Sequence, residues 1–182
     1  GYPCAGLPGA PVVGGRVEML FIRRAKRRGD PWSGHMAWPG GKREACDETM
    51  VACAIRETRE EVSLDLEANG TLIGALPPLR FDSPRHTRLR AVFPYVFVVA
   101  GAVELRMSDE VREAVWIPLE YFTKWSSRRP WRWLARWLPP VPPAFRYEGR
   151  IIWGLTQWML RDLLVRVASH RSSEATPTRQ LP

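Results

Sequence analysis

Nine residues, AIRETREEV at 54–62, bring together Glu57, Glu60 and Glu61 with Arg56 and Arg59 among them. On a helix the three glutamates fall within an arc of about 100°. Val51, Ile55 and Val62 point to the other side with Thr58 near them, so residues 48–62 read as a helix with a core stripe and an acid stripe back to back. An exposed like-charge pair four residues apart costs only about 0.2–0.5 kcal/mol, so a plain solvated face is one reading. On a partly buried face, two carboxylates about 4 Å apart repel by about 4 kcal/mol at an effective dielectric of 20. A hard divalent cation removes that repulsion, and carboxylate oxygens are the ligands Mg²⁺ prefers. The second reading is therefore a metal site.

The residues upstream favour the metal. WPGG (38–41) is a tight turn whose glycines, Gly40 and Gly41, let backbone approach a phosphate closely. Asp47 is placed to cap the helix, and Glu48 to sit in its acidic first turn. A glycine turn, a capped helix and an acid stripe on its last turns form a constellation.

That constellation resembles the Nudix hydrolases. Their box reads Gly, five residues, Glu, seven residues, Arg-Glu, an aliphatic, any residue, Glu-Glu, any residue, Gly, an aliphatic. Gly41 opens it here, Asp47 takes the first acidic place, and Arg56-Glu57, Glu60-Glu61 and Leu64 follow. Asp47 replaces Glu, eight residues precede Arg56, Thr58 replaces the aliphatic, and Ser63 replaces Gly. A left-handed helix-ending residue suits Gly by about 1–2 kcal/mol, so Ser63 marks a strained exit. The aspartate and the extra residue look like the coenzyme A diphosphatase-like branch, as do SDEVREAVWIPLEYF (108–122) and YEGRIIWGLTQWMLRDLL (147–164). That branch carries His-x-Gly-Gln-x-x-Phe-Pro-Gly-Gly before the box. WSGHMAWPGG (32–41) keeps the Gly and Pro-Gly-Gly and has Trp32 and His35 at the His and Gln places.

The resemblance implies an α/β fold, the Nudix-type α/β/α sandwich with a mixed sheet. It also implies a hydrolase that cleaves the diphosphate of a nucleoside diphosphate linked to another group. Coenzyme A or its derivatives would give phosphopantetheine and adenosine 3′,5′-bisphosphate. Alternatives within the family are NADH, nucleotide sugars and dinucleoside polyphosphates. Outside it stands a non-catalytic nucleotide- or RNA-binding protein on the same scaffold. Glu57, Glu60 and Glu61 are the implied ligands of Mg²⁺ or Mn²⁺, and Arg56 is the residue that holds Glu57 in place. Asp109, Glu110 and Glu113 are candidates for a distant base, with a solvated loop as the plainer reading. Gly40, Gly41, Arg23 and His35 are candidate substrate contacts, His35 serving equally well as a structural histidine. In PWRWLARWL (130–138), expected as a short amphipathic helix, Arg136 and Trp137 suit a lid that meets a phosphate and stacks on a base. A packed hairpin is the plainer reading of that segment, and a membrane-interface anchor the weakest.

The elements that must position these residues are strands at 17–23, 71–76 and 91–100, a strand running into a helical turn at 115–122, and a helix at 149–170 with apolar residues at Ile152, Leu155, Met159, Leu163 and Val167. Pro94 inside its strand predicts a bulge or an edge. The segment 77–90 reads as a basic loop. The expected division is an irregular lead-in over 1–16, one domain over 17–169 with a Trp/Arg/Pro-rich insert at about 124–147, and a disordered tail over 170–182.

The chain of 182 residues has a formal net charge of +8, which suits anionic partners: phosphorylated small molecules, nucleic acid or an anionic membrane surface. The small-molecule nucleotide is the partner the box favours. The run Arg23, Arg24, Lys26, Arg27 and Arg28 suits phosphate steering or a solvated basic face. Cys4, Cys46 and Cys53 form no Cys-x-x-Cys pair and are odd in number, which argues against a disulfide framework and a structural zinc site. Cys53 reads as a small packing residue, and a reducing, cytoplasmic compartment is expected. No apolar run approaches a membrane span, and the N-terminus lacks the pattern of a signal peptide.

Overall fold

The computed structural model describes residues 4–9, 16–30, 32–83, 86–124 and 144–174. Thirteen elements follow one another among the described residues. They are β1 (Cys4–Gly9), β2 (Glu18–Arg24), β3 (Met36–Ala37), α1 (Met50–Val62), α2 (Leu66–Asn69), β4 (Gly70–Ala75), β5 (Leu79–Ser83), β6 (His86–Val99), β7 (Val111–Pro118), α3 (Leu119–Thr123), β8 (Phe145–Tyr147), β9 (Arg150–Ile152) and α4 (Gly154–Glu174). Among the described residues, β1 to β7 form one mixed sheet, and β8 and β9 pair separately as a hairpin.

Strand β2 shows why the sheet needs a helix on each face. Its alternate residues Met19 and Phe21 join a cluster with Met159, Leu160 and Leu164 of α4, while Leu20 and Ile22 join one with Val62 of α1, Leu64 and Leu66. Burial of each of these large side chains contributes about 1.5–3 kcal/mol. The result is the α/β/α sandwich expected from the motif.

Several expectations are corrected. The supposed irregular lead-in contains β1, which runs parallel to β6 from Cys4↔Phe93 to Gly9↔Val98 and meets β2 at Gly9↔Met19. Its two glycines and Pro8 oppose strand formation locally, and only the distant partner makes it a strand. The supposed loop at 77–90 holds β5 and the start of β6, antiparallel from Leu79↔Val92 to Ser83↔His86. Pro94 marks neither a free edge nor a bulge of its own strand. It sits where the neighbour of β6 changes from β4, which pairs with Tyr95–Val99, to β5, which pairs with His86–Val92. The helix expected at 149–170 begins only at Gly154, because 150–152 pairs with β8, and it runs on to Glu174. The segment 130–138, with Arg136 and Trp137, lies outside the described residues. No helix among the described residues is long and apolar enough to cross a membrane.

Candidate active site

Helix α1 starts later than expected. Thr49, not Asp47, is its cap, the hydroxyl accepting from the Ala52 N–H at 3.0 Å. The Asp47 carboxylate is occupied elsewhere. It is buried and accepts from Arg56 Nε and Nη2, both at 2.9 Å, and from the Glu44 N–H at 2.7 Å. This bidentate pair holds the Asp47 carboxyl below its ordinary range. The same guanidinium donates to Glu60 Oε2 at 2.8 Å and to Glu57 Oε1 at 3.1 Å. Arg56 is thus the hub of three carboxylates, and their hydrogen bonds and charges raise its own pKa.

The three glutamates do not form a stripe opposite the core. They cross its edge: Glu61 is 4% exposed, the Glu57 side chain 16% and the Glu60 side chain 57%. Glu61 turns inward beside buried Thr58 and Val62, and its Oε2 accepts from the Gly40 N–H at 2.9 Å. Burial pushes its pKa up to about 8, with the neighbouring charges of Glu57 and Glu110 adding to the shift and the Gly40 N–H and Arg24 opposing it. Burial also raises Glu57, against the pull of Arg56. The Pro-Gly-Gly turn therefore lies against carboxylates. A methyl group on Gly41 would overlap the Glu57 carboxylate, and Gly40 has φ 153°, a conformation that glycine tolerates best.

The far side of the site comes from the connection before β7. The Arg106 and Ser108 N–H groups, each at 3.0 Å, satisfy the Val62 and Glu61 carbonyls at the end of α1. Ser63 ends that helix in the left-handed conformation, φ 57°. Strand β2 pairs with β7 through a register shift at Arg23/Arg24, so that Arg23 opposes Glu113 and Arg24 opposes Val111. This bulge returns Val111 to the α1 side of the sheet and directs the turn at 108–110 toward the glutamates. The Glu110 carbonyl accepts from the Ala25 N–H at 2.8 Å, and its carboxylate pairs with Arg27 at 3.1 Å.

The candidate residues therefore separate. Glu57, Glu60, Glu61, Arg56, Gly40 and Gly41 come together, with Glu110 close enough to act on two of the acids. Arg23 and Glu113 pair at 3.2 Å on the face of the sheet that α4 covers, and Arg150 also binds Glu113. Arg24, on the α1 side, pairs with Asp30 at 3.2 Å. The basic run is thus largely matched by acids, leaving Lys26 and Arg28 exposed. His35 packs its ring on Trp153, with centroids 4.8 Å apart. Cys53 is buried and disulfide-bonded, a correction to its reading as a simple packing thiol, while Cys46 is exposed and free. Sequence reasoning missed the Asp47–Arg56 pair and Trp153, and named Glu110 only beside Asp109 and Glu113 as a candidate distant base. The nine-residue separation of Asp47 and Arg56 matches no helical repeat, and Glu110 depends on a bulge.

The carboxylates suit a hard divalent cation by their chemistry: oxygen donors only, two of them with pKa values raised by burial and by neighbouring carboxylates. As placed, no group of three or more acid, histidine or cysteine side chains among the described residues converges to grip an ion. Glu57 and Glu60 each turn an oxygen to Arg56, and Glu61 turns one to Gly40.

A mixed sheet between two helices, with an acid-bearing helix docked on a Pro-Gly-Gly turn, defines the NUDIX class of domain. The family model for the NUDIX domain matches residues 8–137, and the chain belongs to this family of hydrolases, which generally cleave pyrophosphate linkages with divalent metal ions. A relative is the Nudix hydrolase NudL of Citrobacter koseri, 27% identical over 167 residues that cover 86% of this chain and 79% of the relative. The solved structure of RenU, a Nudix hydrolase from M. smegmatis, superposes with TM-score 0.62 at 18% identity, covering 92% of this chain and 86% of that one. The NUDIX domain of Shewanella oneidensis NrtR, complexed with ADP ribose, gives TM-score 0.61 at 12% identity, covering 91% and 87%. Likeness at these identities shows the fold.

Proposed function

We propose that the chain hydrolyses the diphosphate of a nucleoside diphosphate linked to another group, with Mg²⁺ or Mn²⁺ held by Glu57, Glu60 and Glu61. The observation that carries this reading is the buried Glu61 carboxylate, raised to about 8 beside Glu57 and Glu110. A bound divalent cation would neutralise the diphosphate and lower the pKa of a coordinated water. The protein's own groups then have distinct tasks. Arg56, locked by Asp47, fixes the directions of Glu57 and Glu60. The Gly40 N–H fixes Glu61. Glu110, held by Arg27, takes the proton of the attacking water on its unpaired oxygen, the role assigned to a distant base. Arg24 rather than Arg23 meets the substrate phosphates, because it stands on the α1 side of the sheet.

Coenzyme A or a derivative is the first substrate to test. The Asp47 spacing and the segment around Trp153 support it. NADH, nucleotide sugars and dinucleoside polyphosphates are the alternatives. A nucleic-acid role has less support, since Arg23, Arg24 and Arg27 are each paired with an acid. A hydrolysis panel over these compounds in ¹⁸O water identifies both the substrate and the phosphorus attacked. Glu60→Gln and Glu61→Gln are expected to lose at least about a hundredfold in kcat with the fold retained. Full turnover in excess EDTA would overturn the metal mechanism, and a tenfold better kcat/KM on NADH would transfer the substrate assignment.

A further inference from the structure

The end of β2 carries a second irregularity, on the side away from β7. The Arg24 N–H donates to the His35 carbonyl and the Gly34 N–H donates to the Arg24 carbonyl, both at 3.1 Å, and Gly34 has φ 76°. Two residues, Gly34 and His35, thus stand opposite one, with a left-handed glycine first: a β-bulge that re-aims the side chain after it. Met36, opposite Arg23, is buried in the cluster that α4 covers. Alternation places His35 on the other face, the face of Arg24 and α1. Trp153 reaches the same face from the other direction. Its neighbour Ile152 is fully buried in the α4-side cluster, and the Trp153 ring packs on His35 while the residue stays 41% exposed. The start of α4 is tied to β3 by the Thr156 hydroxyl donating to the Met36 carbonyl at 3.3 Å.

Glu61, Arg24, His35 and Trp153 therefore follow one another along one face. Arg24 acts electrostatically on both Glu61 and His35, and its Nε is buried without a hydrogen-bond partner. From Gly40 to His35 the chain spans at most about 17 Å. A tryptophan tilted 57° against His35 and 41% exposed, beside a cation and at the end of a carboxylate site, has the form of a stacking platform.

We propose that Trp153, backed by His35, is the platform on which the substrate's heteroaromatic base stacks, making it a specificity-determining residue for nucleotide over non-nucleotide diphosphates. The proposal rests on the diphosphate-hydrolase reading for its substrate class, and binding tests it separately from turnover. Calorimetry with Mg²⁺ compares α,β-methylene-ADP with methylenediphosphonate, two non-hydrolysable diphosphates that differ by the adenosine. Trp153→Ala is expected to weaken the first by about fivefold to a hundredfold, with Trp153→Phe intermediate and the second probe unchanged within about twofold. In the wild-type protein, the adenine H2 and H8 protons are expected to show cross-relaxation to the indole whose signals vanish in Trp153→Phe. Equal affinity of wild type and Trp153→Ala for α,β-methylene-ADP overturns the platform, as does equal loss of both probes or the absence of the adenine–indole contacts. Loss of all metal-dependent turnover with the binding series intact would overturn the hydrolase reading instead and leave the platform standing.

Discussion

Glu61 and Asp47 are both buried acids of the site, yet they respond to pH in opposite senses. In the metal-free protein Glu61 binds its proton up to about pH 8, whereas the unfolded chain releases it near 4.5. Between those values the folded state holds the extra proton, so stability falls as pH rises, by on the order of several kcal/mol across the window. Asp47 is depressed below its ordinary 3.8 by Arg56, so its contribution is present above that value and lost on acidification. In EDTA, the melting temperature of the wild type is therefore expected to decline from pH 5 to pH 8, while Glu61→Gln declines less over that range, only Glu57 of the raised pair remaining. Excess Mg²⁺ or Mn²⁺ at pH 8 should restore the wild type and not the variant, because a ligand of the folded state stabilises it by mass action. Parallel pH curves for the two proteins would show that Glu61 is not the titrating group.

Helix α1 is the element that the sequence describes best and whose ends it describes worst. The acid pattern placed the glutamates on one helix, and the box spacing placed the Pro-Gly-Gly turn beside them. Its cap moved to Thr49 because Asp47 was already bound by Arg56 from two turns away, a tertiary bond that spacing along a helix does not reveal. Its exit at Ser63 was legible, since the box expects glycine there and the residue is left-handed at φ 57°. Ser63→Gly is expected to stabilise the fold by about 1 kcal/mol, read as a rise in melting temperature of about 2–4 °C. A fall would show that the serine is held by something other than the turn. Strand β2 was legible because burial on both faces writes a long apolar run, whereas β7 was read only from Val115, because Arg112 and Glu113 break the apolar pattern at its start. The hairpin of β8 and β9 was not, because Ile152 falls on a helical repeat with Leu155 and Met159. The bulges on either side of Arg24 left no mark except Gly34, and they decide which side chains face α1.

At the scale of the molecule, the sheet is completed by residues that carry no sign of belonging to it. Strand β1 fills the gap between β2 and β6, and it touches α1 as well. Deletion of residues 1–9 would bare the inner edges of β2 and β6 and uncover α1. The truncated chain is expected to melt far below the full chain and to aggregate on warming, measured by calorimetry and light scattering. Unchanged melting would mean that the strand is dispensable. The same insertion also sets a schedule. Residues 4–9 are made well before their partner at 93–98, which follows roughly ninety residues later, on the order of 5–20 s at ordinary synthesis rates. Throughout that interval β1 lacks the strand that it pairs with along its whole length. Closing so long a loop is entropically slow, and the open edge it leaves is the kind that holding chaperones occupy. Docking of β1 onto β6 is thus expected late in folding.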